Sequence, residues 1–385
     1  MRILIVSPWC DDIDLESCKG TPENAYLIKE LLRRNHTVCL VCQGSVEEIP
    51  ESMRVRLKIY PVRKFPWIQP RQLNYFTAPF MHRLYGNYLR KLVGKIAEKE
   101  NIEVIYNIAG FGHRELLRLA RRMSIRYAVK TMGTIFFGEG NFNPLRRFQY
   151  FKEHLIFKYR ADRYFCVDDG TGTYEVAKRY GVSESNIIAL PNPKPPIVEL
   201  IKEPRAPRFS CGYFSRFDKL KGTDLFCRIA DRVLAENSNI IFRIAGDGPL
   251  RSCVEKLKKK YPQNVVYLGF LTHIATLEEY SRINLLLSTN RYSNLTLPVV
   301  EALSYGIPVI VFNTQETSKL IKDEINGFLV KPFEVEHFAS KILHIAEKED
   351  ILEKLSKGAR ETSASLPSWE DRIEKEIDKL EELTK

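Results

Sequence analysis

Two cations five residues apart follow a short apolar run, and their chemistry suits the binding of an anion. Arg216 comes just after the predicted strand Phe209–Phe214, and Lys221 precedes Gly222, where a helix is predicted to begin. Free backbone N–H groups at a helix start and basic side chains both attract negative charge, so the two cations can face one phosphate-bearing group. On an ordinary surface loop, the same pair would simply be solvated.

A glycine-rich turn and a glutamate follow further along the same half of the chain. Ala245-Gly246-Asp247-Gly248-Pro249 comes after a predicted strand and opens a helix, so its glycines most simply permit a tight turn. The turn lacks the third glycine of a dinucleotide-binding fingerprint. Glu301 lies on a helix predicted to begin at Pro298, where the alternative interpretation is a surface glutamate.

The order of these motifs resembles that of the donor-binding domain of glycosyltransferase family 4, the retaining enzymes of GT-B fold that take a sugar from a nucleotide diphosphate. The motifs are Ser215-Arg216-Phe217, Lys221-Gly222, Ala245-Gly246-Asp247-Gly248-Pro249, Glu301-Ala302-Leu303 and Gly306-Ile307-Pro308-Val309. The resemblance implies that Glu301 binds the ribose. It implies that the donor diphosphate is bound by Arg216, Lys221, Asn294, Leu295 and Thr296.

The resemblance also implies positions for the donor sugar, the base and the acceptor side. Ser293 stands where the family has a glutamate that touches the transferred sugar, eight positions before Glu301. Phe270 and Leu271 are candidates to flank the nucleotide base. The candidate cleft residues of the N-terminal half are Gly20, Thr21, His113, Met132 and Gly133, with Met132 at a place where many relatives carry a histidine.

The chemistry of the family, as the resemblance implies it, needs no protein nucleophile, because the leaving phosphate takes the acceptor's proton on the same face of the sugar. We therefore name no catalytic residue. Asp11-Asp12 and Asp168-Asp169 are adjacent carboxylates rather than a spaced metal-binding pair, and two basic side chains can balance the diphosphate. We expect a nucleotide sugar as co-substrate, and neither a cofactor nor a metal.

Strands and helices are predicted to alternate through most of the chain, which is typical of an α/β protein with parallel sheets. Six prolines between Pro191 and Pro207 indicate a linker. We predict a GT-B fold of two doubly wound Rossmann-like domains facing a central cleft. The acceptor domain is predicted at residues 1–196, with the helix at 367–385 packing back on it, and the donor domain at residues 205–365.

The formal net charge of +11 is concentrated in particular segments. No Asp or Glu occurs from Ser52 through Ala97, where ten basic residues alternate with aromatic ones, and a second such stretch spans residues 146–160 on a predicted amphipathic helix. Cations and aromatic rings suit an anionic membrane surface or an anionic acceptor. The alternatives are a solvated face over an aromatic core, or single-stranded nucleic acid.

Composition favours a globular protein, with 44% hydrophobic and 28% charged residues in 385. The apolar run at the N-terminus is too short for a secretory signal, and Cys39 and Cys42 lie within a predicted core strand. We expect a cytoplasmic glycosyltransferase, peripheral on the inner face of the membrane, acting on a glycan or lipid-linked acceptor. A non-catalytic sugar-nucleotide-binding protein and a nucleotide-sugar epimerase are the alternatives.

Overall fold

The computed structural model describes two compact units. It describes residues 1–8, 13–14, 22–44, 46–47, 51–64, 74–135, 150–195 and 208–385. Unit 1 comprises residues 1–168, 172–191 and 370–385, and unit 2 comprises residues 169–171 and 192–369. Each unit contains its own parallel sheet with helices between successive strands, so the predicted α/β class is confirmed.

The described residues of unit 1 form a seven-stranded parallel sheet in the order β5-β3-β1-β6-β7-β8-β9. Its strands are β1 (Arg2–Val6), β3 (Thr37–Cys42), β5 (Leu57–Pro61), β6 (Val104–Ile108), β7 (Arg126–Thr131), β8 (Arg163–Asp168) and β9 (Ile187–Pro191), while β2 (Ile13–Asp14) pairs with β4 (Val46–Glu47). The helices are α1 (Pro22–Arg33), α2 (Glu51–Arg54), α3 (Asn74–Glu100), α4 (His113–Arg122), α5 (Phe151–Lys158) and α6 (Thr173–Arg179).

Unit 2 contains a six-stranded parallel sheet in the order β12-β11-β10-β13-β14-β15. Its strands are β10 (Ser210–Phe214), β11 (Ile241–Ala245), β12 (Val265–Gly269), β13 (Leu285–Ser288), β14 (Val309–Phe312) and β15 (Gly327–Val330). The α-helices are α7 (Thr223–Glu236), α8 (Arg251–Lys260), α9 (His273–Glu279), α10 (Leu297–Ser304), α11 (Val335–Glu347) and α12 (Glu349–Ala364).

Among the longer elements of unit 1, β5 and α3 were not predicted from the sequence. Strand β5 has no continuous apolar run, because Lys58 interrupts it, and only Leu57 of its five residues is buried. Helix α3 spans 27 residues but contains Pro79 and two glycines, all weak helix formers. Local sequence preferences therefore do not predict either element, and both form through packing within the unit.

The second basic stretch of the sequence is only partly a charged surface. Residues 146–149 lie outside the described part of the chain. Lys152 on α5 donates from Nζ to the carbonyl oxygen of Ala109 at 3.0 Å and lies 3.9 Å from the centre of the Phe111 ring. Burial lowers the pKa of Lys152 to about 8. Lys152 therefore faces inward, unlike the surface cations that the predicted contact with an anionic membrane or acceptor requires.

The C-terminal helix α13 (Trp369–Glu381) joins a buried ionic cluster in unit 1. Arg372 Nη2 donates to Glu23 Oε1 at 2.9 Å, and Lys130 Nζ donates to both carboxylate oxygens of Glu376 at 3.0 and 3.1 Å. Lys130 also lies 3.2 Å from Glu23 Oε2, and all four side chains are buried. Opposite charges within contact distance offset much of the cost of removing these groups from water.

The cluster makes stability depend on pH through Glu23. Burial alone would raise the pKa of Glu23, but Arg372 and Lys130 lower it from 4.5 to about 2. The folded-state pKa is depressed, so the stabilisation is complete above pH 4.5 and is lost as pH falls toward 2. A shift of this size corresponds to roughly 3 kcal/mol of unfolding free energy.

We expect urea unfolding to show a steeper loss of stability between pH 5 and pH 2.5 in the wild type than in Glu23→Gln, which cannot titrate at this position. The variant should be less stable than the wild type at pH 7, and its free energy of unfolding should change less with pH below pH 5. Parallel stability profiles of the two proteins would contradict the assignment.

Candidate functional site

The strand order of unit 2 reverses between β10 and β13, and the predicted cations lie at this point. In open parallel sheets, ligands bind outside the carboxyl ends of the strands where the order reverses. The loop after β10 carries Arg216 and Lys221, and the loop after β13 runs from Thr289 to Thr296. The topology therefore brings the two predicted phosphate-binding segments next to each other.

Close backbone approach and one arginine hold these two loops together. Gly222 has φ 70°, and a Cβ there would lie 1.9 Å from the carbonyl oxygen of Thr289, so only glycine fits. Thr289 Oγ1 donates to the carbonyl oxygens of Lys221 and Gly222 at 3.2 and 3.0 Å. Arg291 binds both carboxylate oxygens of Asp224 at 2.8 Å. This pairing offsets the effect of burial and lowers the pKa of Asp224 to about 2.

Arg216 and Lys221 present positive charge from the β10 loop. The Arg216 side chain is 63% exposed and donates from Nε to Asp218 on its own loop. Lys221 Nζ forms no ion pair with any carboxylate of the described residues. Burial lowers the pKa of Lys221, and the nearby charge of Arg216 lowers it further. A bound anion would relieve this repulsion, so the pair is suited to a diphosphate.

The β13 loop offers backbone donors rather than the Asn294 side chain. Asn294 is fully buried, its Oδ1 accepts from Ser288 Oγ at 2.7 Å, and its Nδ2 donates to the carbonyl oxygens of Asn290 and Phe312. The amide hydrogens of this side chain are thus already used to hold the loop in place, which does not support a diphosphate contact from the side chain.

The remaining residues of this loop are better placed to donate from the backbone. Among the described residues, the N–H groups of Thr296 and Leu297 donate to no protein acceptor. Thr296 occupies the N-cap position of α10 without a capping hydrogen bond from its side chain, and free N–H groups at a helix start attract an anion. Leu295 is buried, and its carbonyl oxygen accepts from Asn192 Nδ2 at 2.7 Å.

Ser293, at the predicted donor-sugar position, is buried within unit 2. Its hydroxyl donates to the carbonyl oxygen of Asp169, and a Cβ on Gly170 would lie 2.9 Å from Ser293 Oγ. The hydrogen of the hydroxyl is thus used in a bond to the segment 169–171. A sugar that approaches this loop meets no carboxylate at position 293.

Glu301 is not the surface glutamate of the alternative interpretation. It is 2% exposed, and both of its carboxylate oxygens have partners on neighbouring elements. Glu301 Oε1 lies 2.7 Å from His273 Nε2, and Glu301 Oε2 accepts from the Tyr280 hydroxyl at 2.9 Å. Burial raises the pKa of Tyr280 well above its ordinary value, and the Glu301 charge adds to this, so Tyr280 stays a donor.

His273 was not predicted from the sequence, and the structure explains how it is positioned. Thr272 caps α9 by accepting from the Ala275 N–H at 3.2 Å, which sets His273 in the first turn. Its Nδ1 atom is buried and has no hydrogen-bond partner among the described residues. A lone histidine at a helix start forms no sequence pattern, so no signal in the chain indicates this contact.

The two candidates for flanking the base differ in their surroundings. Phe270 is 67% exposed just after β12, whereas Leu271 packs partly against a core cluster of unit 2. The exposed ring is available to stack on a base, and Leu271 has less free surface. In the glycine-rich turn, Gly246 has φ 138° and a Cβ there would lie 1.9 Å from the Ser215 carbonyl oxygen. The turn thus supports the β10 loop.

The candidates in unit 1 form no catalytic group among the described residues. Gly20 and Thr21 lie outside these residues. His113 is buried, with Nε2 2.7 Å from the Tyr159 carbonyl oxygen and Nδ1 3.2 Å from the Tyr127 hydroxyl, and burial lowers its pKa to about 4. The structure thus places His113 in the core, which does not support the cleft prediction. Met132 packs partly against the same core, and the following Gly133 has φ 95°.

Metal-binding side chains do not cluster in the part of the chain that the structure describes. No group of three or more His, Cys, Asp or Glu residues there has the arrangement to hold an ion. Asp169 Oδ1 instead accepts from the Thr171 N–H and hydroxyl groups at 3.1 and 2.6 Å. Asp11 and Asp12 lie outside the described residues.

Residues 203–362 match the family model described as glycosyl transferases group 1. The chain is 28% identical over 168 residues to the poly(ribitol-phosphate) alpha-N-acetylglucosaminyltransferase of Staphylococcus aureus (strain COL), covering 43% of this chain and 34% of that protein. It is 27% identical over 168 residues to the UDP-Gal:alpha-D-GlcNAc-diphosphoundecaprenol alpha-1,3-galactosyltransferase of Escherichia coli, covering 41% of each chain. The chain thus spans less than half the length of either relative.

A solved structure shows the fold over nearly the whole chain. Alr3699/HepE of Anabaena, in complex with UDP and glucose, aligns with a TM-score of 0.70 over 99% of both chains at 16% identity. The predicted GT-B class, with two Rossmann-like domains, is confirmed by this likeness and by the two parallel sheets. Residues 203–362 of this chain thus match the glycosyl transferases group 1 family, and the chain as a whole has the GT-B fold.

Proposed function

We propose that the protein is a retaining glycosyltransferase that transfers a sugar from a nucleotide-diphosphate sugar to a hydroxyl group of a glycan or lipid-linked acceptor. The observation that carries the proposal is the placement of Arg216 and Lys221 after β10, and of the Thr296 and Leu297 N–H groups after β13, because these are the two strands at the switch point of unit 2. Its test is the transfer of radiolabelled sugar from UDP-, GDP- and ADP-sugars to membrane extracts. No transfer from any donor would overturn the proposal.

The chemistry assigned to this site is stabilisation of a departing diphosphate. As the bond to the sugar stretches, negative charge grows on the leaving oxygens, and preorganised cations lower the barrier most when they face that charge. Arg216 and Lys221 supply two positive charges without a metal ion. The leaving phosphate takes the proton of the acceptor hydroxyl, so the protein needs to position the reactants and need not supply a nucleophile.

The proposed acceptor is anionic and lies at the inner face of a membrane, where the protein binds peripherally. Two observations support it. The names of both curated relatives specify phosphate-containing acceptors, and segment 52–97 carries basic residues without acidic ones. Among the described residues, no helix is both long and apolar enough to span a bilayer.

The second candidate function is sugar-nucleotide binding without catalysis. Ser293 favours it, because its buried hydroxyl is bonded to Asp169 and position 293 carries no acidic group for the donor sugar. Donor binding without turnover on any membrane extract would select this function over transfer.

Glu301→Gln should weaken binding of a nucleoside diphosphate by roughly ten- to a hundredfold, because hydrogen bonds to a charged group contribute about 1.5–3 kcal/mol. Binding of inorganic pyrophosphate, which has no ribose, should change little. Calorimetric titration of both ligands measures the difference. Glu278→Gln, an exposed change on the neighbouring helix α9, is the control. Equal weakening for both ligands would show that Glu301 does not act through the ribose.

A further inference from the structure

A second cationic site lies in unit 1, in a groove between α3 and α4. The two helices approach closely at Gly86, where a Cβ would lie 2.6 Å from Glu115 Oε2. The groove encloses about 290 Å³, enough for a phosphate-sized group. We call it the arginine pocket, and its lining residues are Arg83, Asn87, Arg90, Arg114, Glu115, Arg118, Leu119 and Arg122.

The pocket contains five arginines and one carboxylate, and that carboxylate is already bound. Glu115 is buried and accepts from Arg114 Nε at 2.8 Å. Arg83, Arg90 and Arg122 form no ion pair with any described carboxylate. Their positive charges therefore face one groove without compensation from the described residues of the protein.

Two of the five guanidinium groups are held in place before any ligand arrives. Arg114 and Arg118 each lie 5.9 Å from the centre of the Tyr159 ring, and Arg114 is fixed further by Glu115. Planar guanidinium groups bind phosphate oxygens in pairs, and they lose less side-chain freedom when they are ordered in advance. The chemistry of the pocket thus matches a phosphate ester.

Exposed apolar side chains on α3 indicate that the phosphate belongs to a lipid. Phe80 is 62% exposed and Leu84 is 47% exposed, and their spacing of four residues puts them on one face of α3, beside Arg83. Large apolar groups beside cations are typical of surfaces that enter the headgroup layer of a bilayer. A soluble phosphate would leave both side chains in water.

We propose that the arginine pocket binds the phosphate of an anionic lipid headgroup while Phe80 and Leu84 enter the boundary of the hydrocarbon layer. This proposal names the site through which the protein would bind the membrane. It rests on the proposed membrane location, because that location makes a lipid the source of the phosphate. The binding is independent of sugar transfer, so it can be tested without donor or acceptor.

The test is sedimentation with vesicles of equal parts phosphatidylglycerol and phosphatidylcholine, compared with phosphatidylcholine alone. The triple variant Arg83→Gln/Arg90→Gln/Arg122→Gln should bind the anionic vesicles at least about tenfold more weakly than the wild type, since each cation near an anionic surface adds to the attraction. The control Lys29→Gln/Arg126→Gln/Arg179→Gln removes the same charge from exposed positions elsewhere in unit 1 and should bind like the wild type. Far-UV circular dichroism checks that both variants are folded.

The outcomes distinguish lipid binding by the arginine pocket from diffuse electrostatic attraction and from binding of a soluble phosphate. Equal binding by the triple variant and the control would overturn the proposal, because diffuse positive charge would then explain the attraction. In a second outcome, the wild type does not bind vesicles, inorganic pyrophosphate raises its thermal stability, and the triple variant shows no such rise. This outcome would overturn the lipid as the source of the phosphate and leave a soluble phosphate ligand. A protein that transfers sugar but fails both arms would keep the proposed sugar transfer and lose this inference together with the proposed peripheral membrane location.

Discussion

Arg216→Ala/Lys221→Ala is expected to transfer sugar at least about a thousandfold more slowly than the wild type, since removal of one preorganised donor to a developing anion already costs about 10²–10³ in rate. Both cations lie on the β10 loop, where burial and then the nearby charge of Arg216 lower the pKa of Lys221. Their loss would leave only backbone N–H groups for the departing diphosphate. Initial rates of radiolabel transfer to membrane extracts measure the effect.

The control for this variant removes two charges from unit 2 outside the site. Lys258→Ala/Lys259→Ala changes exposed residues of α8 and should transfer sugar at the wild-type rate. If the site variant and the control were equally active, the two cations would not act on the diphosphate, and the metal-independent scheme would fail with them.

Glu376→Ala is expected to lower the free energy of unfolding by about 3–5 kcal/mol, because it leaves a buried lysine with too little opposite charge. Lys130 is completely buried, and Glu376 supplies both of the carboxylate oxygens nearest to it, at 3.0 and 3.1 Å. Tyr106 also donates to Glu376 Oε1 at 2.5 Å. Urea unfolding followed by far-UV circular dichroism measures the loss.

Two further variants separate this buried charge from helix α13 as a whole. Asp378→Ala removes an exposed partner of Arg34 on the same helix and should cost less than about 1 kcal/mol. Lys130→Met/Glu376→Gln removes both charges, keeps an acceptor for Tyr106 and leaves Glu23 with Arg372, so it should recover most of the stability. A Glu376→Ala loss no larger than that of Asp378→Ala would contradict the interpretation.

The sequence predicts the fold well where strands are apolar and short. β1, β3 and β10 are nearly continuous buried runs, and the strands predicted at Arg2–Val6, Val38–Cys42 and Phe209–Phe214 agree with them to within one residue at each end. Once these strands are assigned, the position of Arg216 follows, because the residues after a parallel strand emerge at the ligand-binding edge of the sheet.

Contacts between distant elements could not be predicted. His273 and Tyr280 reach Glu301 from 28 and 21 positions away, and nothing in their local sequence marks them as its partners. Considered alone, the amide side chain of Asn294 could donate hydrogen bonds to a phosphate. In the fold, its hydrogens are instead donated to backbone carbonyl oxygens. His113 likewise has the chemistry of a base, but the packing of α4 buries it.

The measurement that tests the central claim most directly is calorimetric titration of UDP, GDP and ADP into the wild type and into Arg216→Ala/Lys221→Ala. A ligand that binds only the folded state also raises its stability, so a thermal shift provides an independent reading of the same equilibrium. We predict saturable binding of at least one nucleoside diphosphate to the wild type and its loss in the double variant. Binding of equal strength to both proteins would contradict a diphosphate site at the switch point of unit 2.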